Sequence, residues 1–192
     1  MLFRRKRDFR PDRTDRGLLF KLYITPLQRQ KILKWVLMAL LMLVLSLLQD
    51  GILSRLSFWG ATTDMIPCGI FLVVLLLDPE QGGFFALITA TLYYFSGSSP
   101  GPYAIAALTI LSLMINIIRH AFLQRTFSSV LICAGLGLLI YELMVFLIGF
   151  FLGFTTVERL QVFLITAGIS VVGIPLMYPI VLAISKIGGE TW

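Results

Sequence analysis

Long apolar segments alternate with short polar ones from residue 26 to residue 185, and this pattern predicts a series of helices. Two polar stretches carry helix-start signals, Thr25-Pro26 and Asp78-Pro79, in which a capping side chain precedes a proline at the first helical position. The pattern predicts an all-α fold, a polytopic membrane helix bundle of six transmembrane helices. The predicted helices cover residues 26–48, 64–77, 79–95, 103–118, 127–152 and 160–185.

The second and third predicted helices are short. Thr63 is predicted to cap the second helix, which places Asp64 in its first turn. Each of the two helices reaches roughly 20 Å at the helical rise of about 1.5 Å per residue. They therefore form either two spans or a re-entrant hairpin, and we favour two spans. In the sixth helix, Pro175 and Pro179 lie one turn apart and predict a kink.

The composition indicates that these helices lie in lipid. Hydrophobic residues make up 58% of the chain and charged residues 14%, whereas about a quarter of a soluble domain is charged. A chain this apolar cannot cover its surface with polar groups, so lipid must be its solvent. We divide it into a basic cytoplasmic arm (1–25), partly disordered or interfacial, a six-helix transmembrane domain (26–186) and a cytoplasmic tail (187–192).

Positive charge is concentrated in the first 34 residues, which hold 11 of the 16 Lys and Arg. One cytoplasmic face can hold this segment together with Arg119, Arg125 and Lys186. Only Arg55 and Arg159 then lie outside, so the positive-inside rule predicts that both termini are cytoplasmic. A basic arm beside a membrane span is expected to bind anionic lipid and not nucleic acid. The residues predicted to bind lipid are Arg4, Arg5, Lys6, Arg7 and Arg10.

The sequence lacks a recognisable catalytic or metal-binding set. Its one histidine, His120, falls in a predicted basic loop at residues 119–126, and it offers no Ser-His-Asp arrangement. Cys68 and Cys133 both lie in apolar stretches, where small core residues are expected and a metal pair is not. No glycine-rich phosphate loop is present. We therefore expect a protein that is not an enzyme and has no cofactor or metal.

Glu142 is the sharpest polar feature within a predicted span. A carboxylate near the middle of a membrane helix costs about 3 kcal/mol or more, so it should be protonated, paired or facing protein. Its partner is either a helix or ligand from outside the bundle, or a neighbour such as Asn116, Thr166 or Ser170. The sequence leaves these alternatives open.

Small residues on the fifth helix allow close approach of another helix, from this bundle or from another protein. Outside the membrane, the loop 96–102 is stiffened by two prolines and can present a fixed surface. We hypothesise that a single-span partner docks near Glu142 and leans on this loop. The residues assigned to this docking site are Glu142, Tyr141, Gly135, Gly149, Gly153, Ser96, Gly97, Pro100 and Gly101.

Several short features follow one another in order along the chain. They are Leu48-Gln49 ending the first span, Gly60 and then Asp64 opening a short one, Gly82-Gly83-Phe84 opening the next, the loop Ser96-Gly97-Ser98-Ser99-Pro100-Gly101, and Tyr141-Glu142 in the fifth span. In this order and spacing, with six spans, they resemble the bacterial rod shape-determining protein family MreD. The resemblance covers most of residues 33–185.

The resemblance implies a non-enzymatic scaffold of the cell-elongation machinery in the bacterial cytoplasmic membrane. The implied partners are an MreC-like bitopic protein and the glycosyltransferase–transpeptidase pair that builds lateral peptidoglycan. The family is also similar in fold to the S-components of energy-coupling-factor transporters, which gives the alternative function of a vitamin-binding transport subunit. An enclosed outward-facing cavity lined by polar and aromatic side chains would favour the vitamin binder. The same space filled by protein would favour the scaffold.

Overall fold

The structure, a computed structural model, describes residues 26–55, 57–122 and 126–187 of the 192-residue chain. The basic arm, which carries the predicted lipid-binding residues, lies outside the described residues. So do Arg125 and all of the predicted tail except Ile187.

Six α-helices account for most of the described residues. They are α1 (Pro26–Gly51), α2 (Met65–Leu76), α3 (Pro79–Phe95), α4 (Tyr103–Phe122), α5 (Phe127–Phe151) and α6 (Leu160–Ser185). The predicted bounds of α3 and α6 agree with the structure, and α6 continues through both of its prolines. By contrast, α1 and α4 each run several residues further than predicted.

The short helix α2 is the centre of the bundle. It is apolar on every side, 11 of its 12 residues are buried, and it contacts all five of the other helices. At 12 residues it is about 18 Å long, well under the roughly 30 Å hydrocarbon thickness of a bilayer. Both of its ends therefore lie among other helices, where water is not at hand to satisfy the terminal N–H and C=O groups.

Four helices of the described chain, α1, α4, α5 and α6, are long and apolar enough to cross a membrane. Large apolar side chains point outward on all four, including Val36 on α1, Ile110 on α4, Leu136 on α5 and Leu176 on α6. Exposed apolar surface on this scale is unusual for a soluble protein. The arrangement is consistent with a multi-pass membrane protein.

A small β-hairpin connects α1 to α2, preceded by a 3-10 turn at Leu53–Arg55. Strands β1 (Ser57–Phe58) and β2 (Ala61–Thr62) pair antiparallel. Trp59 and Gly60 form the two-residue turn, with φ values of 51° and 80°, as a type I′ hairpin turn requires. The sequence predicted only an irregular polar connection here, so the hairpin is a feature that the pattern did not reveal.

The bundle has two distinguishable ends. The hairpin end carries the β-hairpin and the loop 96–102, and a hydrogen bond from the Ser98 hydroxyl to the Asp50 carboxylate links this loop to the end of α1. The basic end holds the start of α1 and the end of α4, with Lys34 and Arg119 both buried there. Ring contact between Trp35 and Phe85 places the start of α3 at the same basic end.

Candidate functional site

The first turn of α2 is capped by a side chain from another helix. Gln49, near the end of α1, accepts hydrogen bonds through its Oε1 from the backbone N–H groups of Met65 (2.9 Å) and Ile66 (3.0 Å). The third residue of α2 is Pro67, which has no N–H to satisfy. One glutamine and one proline thus account for the first three positions of a helix that begins inside the bundle.

Asp64 is the hub of the same site. Its Oδ1 accepts a hydrogen bond from Gln49 Nε2 (2.8 Å) and its Oδ2 one from the Tyr93 hydroxyl (2.8 Å). Its own backbone N–H donates to Ser170 Oγ on α6 (2.8 Å). This one residue therefore joins α1, α3 and α6 at the start of α2.

The structure corrects the predicted start of α2. Asp64, and not Thr63, is the N-cap residue, and the Asp64 carboxylate makes no capping bond to its own helix. Both carboxylate oxygens are instead used by Gln49 and Tyr93. The prediction from local sequence was wrong because the capping group comes from a distant part of the chain.

Tyr141 and Glu142 lie beside this hub, with only 1% and 5% of their surfaces exposed. Both are close enough to Asp64 to interact with it electrostatically. The Tyr141 hydroxyl lies near that of Tyr93, yet it is buried without a hydrogen bond of good geometry to any described residue. We call Gln49, Asp64, Tyr93, Tyr141, Glu142 and Ser170 the polar cluster.

Two of the neighbours predicted for Glu142 are engaged elsewhere. Ser170 accepts from the Asp64 N–H, and Asn116 donates through Nδ2 to the carbonyl oxygen of Leu77 (3.3 Å) at the other end of α2. His120 Nε2 lies 3.4 Å from the same carbonyl oxygen. Side chains from other helices thus contact both ends of α2. Of the two alternatives for Glu142, the one with a neighbour in the bundle is not supported, because none of Asn116, Thr166 and Ser170 hydrogen-bonds to it.

The predicted basic loop at residues 119–126 is also corrected. Helix α4 continues to Phe122, so Arg119 and His120 belong to its last turns. Arg119 is almost fully buried, with 1% of its surface exposed, and it is close enough to Cys133 on α5 for electrostatic interaction. The sequence predicts a loop cation at Arg119 because charge alone does not show that a helix end is covered by its neighbours.

The small residues of α5 divide into different roles. A side chain on Gly137 would meet Ile115 at 2.6 Å and Phe71 at 3.2 Å, so this glycine serves close packing inside the bundle. Gly135 faces Val171 of α6 at an ordinary contact distance, and Gly149 faces the side chain of Thr155. These contacts lie within the chain.

Gly153 lies beyond the end of α5 and is not on its helical face. It has a φ of 75°, and the Phe154 N–H donates to Gly149 O (2.8 Å) while the Gly153 N–H donates to Phe150 O (3.1 Å). This pair of bonds is the Schellman arrangement that ends many helices. Of the two glycines that the sequence analysis assigned to the fifth helix here, Gly149 therefore lies on the helix and Gly153 ends it.

The loop 96–102 is held by its own hydrogen bonds. Gly97 has a φ of 78° just after α3, the Ser99 hydroxyl donates to Gly101 O (3.1 Å), and the Tyr103 hydroxyl donates to Pro100 O (3.3 Å). Ser96 and Gly97 are exposed at the hairpin end. The predicted docking residues are thus split between this exposed loop and the buried pair Tyr141 and Glu142.

Among the described residues, no three His, Cys, Asp or Glu side chains come together as a metal site would require. In comparisons with known proteins, no family model, no curated protein and no solved structure matches this chain.

Proposed function

We propose that this protein is a non-enzymatic scaffold of the cell-elongation machinery in the bacterial cytoplasmic membrane, similar to MreD. In this role it holds an MreC-like single-span partner near the glycosyltransferase and transpeptidase that build lateral peptidoglycan. The proposal starts from the ordered sequence features. Several of these residues make contacts that hold the helices together. Gln49 and Asp64 carry the junction of α1 and α2, and Tyr141-Glu142 lies beside it.

One observation favours the scaffold over the vitamin binder. Three of the buried polar and aromatic side chains hydrogen-bond to one another, because Gln49 and Tyr93 both donate to the Asp64 carboxylate. A vitamin-binding subunit needs such groups free to face a cavity. Here the chain's own side chains occupy these groups. This arrangement favours a protein that presents its outer surfaces to other proteins.

The distribution of charge supports the placement of both termini in the cytoplasm, and we propose six spans between them. Described basic residues gather at the basic end, whereas Arg55 and Arg159 lie towards the other. This asymmetry is the one that the positive-inside rule associates with a cytoplasmic basic end. The basic residues described at that end are Arg29, Lys31, Lys34, Arg119 and Lys186.

The proposed partner surface combines the loop 96–102 with α5. The loop is pinned to the end of α1 through Ser98 and Asp50, so it can be presented without a large ordering cost on binding. Glu142 is too well buried to form the outer surface of α5, and it would act on a partner through the packing of that helix. The exposed side of α5 consists of apolar side chains such as Leu139 and Leu143.

Affinity purification of the full chain in mild detergent, with identification of co-purifying proteins, tests the proposal. A bitopic protein with a coiled coil outside the membrane is the expected partner, and an ATPase pair with a coupling subunit would overturn the scaffold.

A variant tests the docking site. Glu142→Ala should lower the amount of partner that co-purifies, and this loss should be larger than the fall in the melting temperature of the isolated protein accounts for. Glu158→Ala removes an exposed acid and is the matched control. If Glu142→Ala lowers stability alone, the docking site lies elsewhere.

A further inference from the structure

An apolar groove of about 240 Å³ runs between α1 and α6 on the side of the bundle. Its floor contains Leu45, Gly173 and Met177, which are buried, while Leu48 and Leu176 form an exposed rim. A side chain on Gly173 would meet Met65 Sδ at 2.5 Å, so the glycine leaves room for the Met65 side chain beside it. Among the described residues, those that line the groove are Leu45, Leu48, Ile52, Leu53, Met65, Gly173, Leu176 and Met177, all without a polar side chain.

A cation lies at the hairpin end of this groove. Arg55 closes the 3-10 turn that begins with Leu53, and both Ile52 and Leu53 line the groove. Arg55 is exposed, and within the described ranges it forms no salt bridge. An apolar groove with a guanidinium at one end that no described acid pairs is complementary to a molecule with an acyl chain and an anionic head.

Trp59 follows four residues later at the tip of the hairpin. It is 90% exposed and it has a φ of 51°, a backbone conformation that a bulky side chain rarely adopts. Packing within the described chain does not explain why this position carries an indole. Tryptophan is, however, enriched where membrane lipid meets water.

The depth of the hairpin agrees with that environment. The base of the hairpin is fixed by the hydrogen bond from the Asp64 N–H to Ser170 Oγ. Ser170 lies ten residues into α6, which is about 15 Å along the helix axis. Strand β2 also contacts α6. The hairpin therefore lies alongside the first half of a helix long enough to cross the membrane, and not above it.

We propose that the α1–α6 groove binds one anionic phospholipid from the leaflet at the hairpin end. One acyl chain occupies the groove, the phosphate pairs with Arg55, and the Trp59 indole lies in the headgroup layer beside it. The inference does not depend on the proposed scaffold function. Membrane phospholipid is chosen over a partner helix because the groove joins a wholly apolar lining to a single cation.

Native mass spectrometry of the full chain released from mild detergent tests the charge contact. Wild-type protein should retain one phospholipid and should, after delipidation, take up phosphatidylglycerol in preference to phosphatidylcholine. Arg55→Glu should weaken retention about fivefold or more, the change expected when a contribution of about 1 kcal/mol is lost. Arg55→Lys should keep most of it. Arg159→Glu, which changes the other exposed cation towards the same end, should leave retention unchanged.

A second pair of variants tests the groove itself. Leu176→Asn places a polar group on the rim and should reduce retention, whereas Val172→Asn should not. Val172 is 67% exposed and Leu176 71% exposed on the same helix, so both changes carry a similar cost in lipid. Melting temperatures of all variants separate lipid loss from unfolding.

Four outcomes would overturn the proposal. They are wild-type protein that retains no phospholipid, equal losses in Arg55→Glu and Arg159→Glu, unchanged retention in Leu176→Asn, and loss of a co-purifying protein from Arg55→Glu while its lipid retention is unchanged. The last result would assign the surface to a protein partner.

Discussion

At the scale of single residues, Gln49 joins segments that local sequence rules treat as independent. Its amide oxygen accepts from two backbone N–H groups of α2, and its amide nitrogen donates to Asp64. In the sequence Gln49 is only a polar residue that follows an apolar run. Nothing in the spacing indicates that it turns back onto a helix whose first residue is 16 positions later.

Replacing Gln49 should destabilise the bundle strongly. Gln49→Ala leaves two buried N–H groups and one carboxylate oxygen without a partner, and each such group costs about 1–3 kcal/mol. We expect a loss of at least about 3 kcal/mol in the free energy of unfolding, measured by denaturant titration in mixed micelles. Gln161→Ala, at an exposed glutamine on α6, should change stability little. A similar effect of both variants would show that Gln49 is not the cap of α2.

The two adjacent tyrosines of α3 offer a second comparison. Tyr93→Phe removes the hydroxyl that donates to Asp64 Oδ2, a bond in which the acceptor is a carboxylate. Its loss should lower the free energy of unfolding by about 1.5–3 kcal/mol. Tyr94 is 38% exposed, and Tyr94→Phe is the matched control with little expected effect. Equal melting temperatures for Tyr93→Phe and the wild type would contradict the role given to this hydroxyl.

At the scale of helices and loops, the sequence predicted those helix bounds that depend only on residues adjacent along the chain. The bounds of α3 agree with those predicted from Asp78-Pro79 and the loop 96–102, although the Asp78 side chain makes no capping hydrogen bond, so that part of the prediction was wrong. The end of α4 could not be predicted in the same way, because burial of Arg119 depends on how α5 packs against it. The hairpin was missed because its turn uses Trp59, which is not a residue that turn preferences identify.

The end of α5 gives a prediction at this scale. Gly153→Ala forces a side chain into a left-handed backbone conformation and should destabilise the protein by about 1 kcal/mol. Gly168 lies inside α6 with nothing within 4 Å of an added Cβ, so Gly168→Ala should instead stabilise by about 0.5–1 kcal/mol. Thermal unfolding in detergent measures both shifts. Stabilisation by Gly153→Ala would show instead that Gly153 belongs to the packing face of α5 and does not end the helix.

At the scale of the whole molecule, a short buried helix explains the position of the polar residues. Five helices surround α2, so its ends must be satisfied by side chains instead of water. Gln49 and Asp64 serve one end, and Asn116 with His120 serves the other. The apolar pattern predicted a bundle, but it did not predict that the second helix would be the core around which the others pack.

The orientation of this bundle gives the last prediction. With Cys68 and Cys133, which are both free and buried, replaced by alanine, single cysteines at Ser57 and Ser98 should react with an impermeant thiol reagent applied to intact cells. Both positions lie at the hairpin end. Cysteines at Gln81 and at Gln124, which lies outside the described residues, should react only after the membrane is opened, because the proposed topology keeps the basic end in the cytoplasm. Gln81 lies in the first turn of α3 at the basic end, so it also tests whether α2 crosses the membrane and α3 crosses back. Labelling of Gln124 from outside would overturn the cytoplasmic placement of the basic end. Labelling of Gln81 but not Gln124 would show instead that α2 and α3 form a re-entrant pair, leaving α1, α4, α5 and α6 as the membrane-crossing helices.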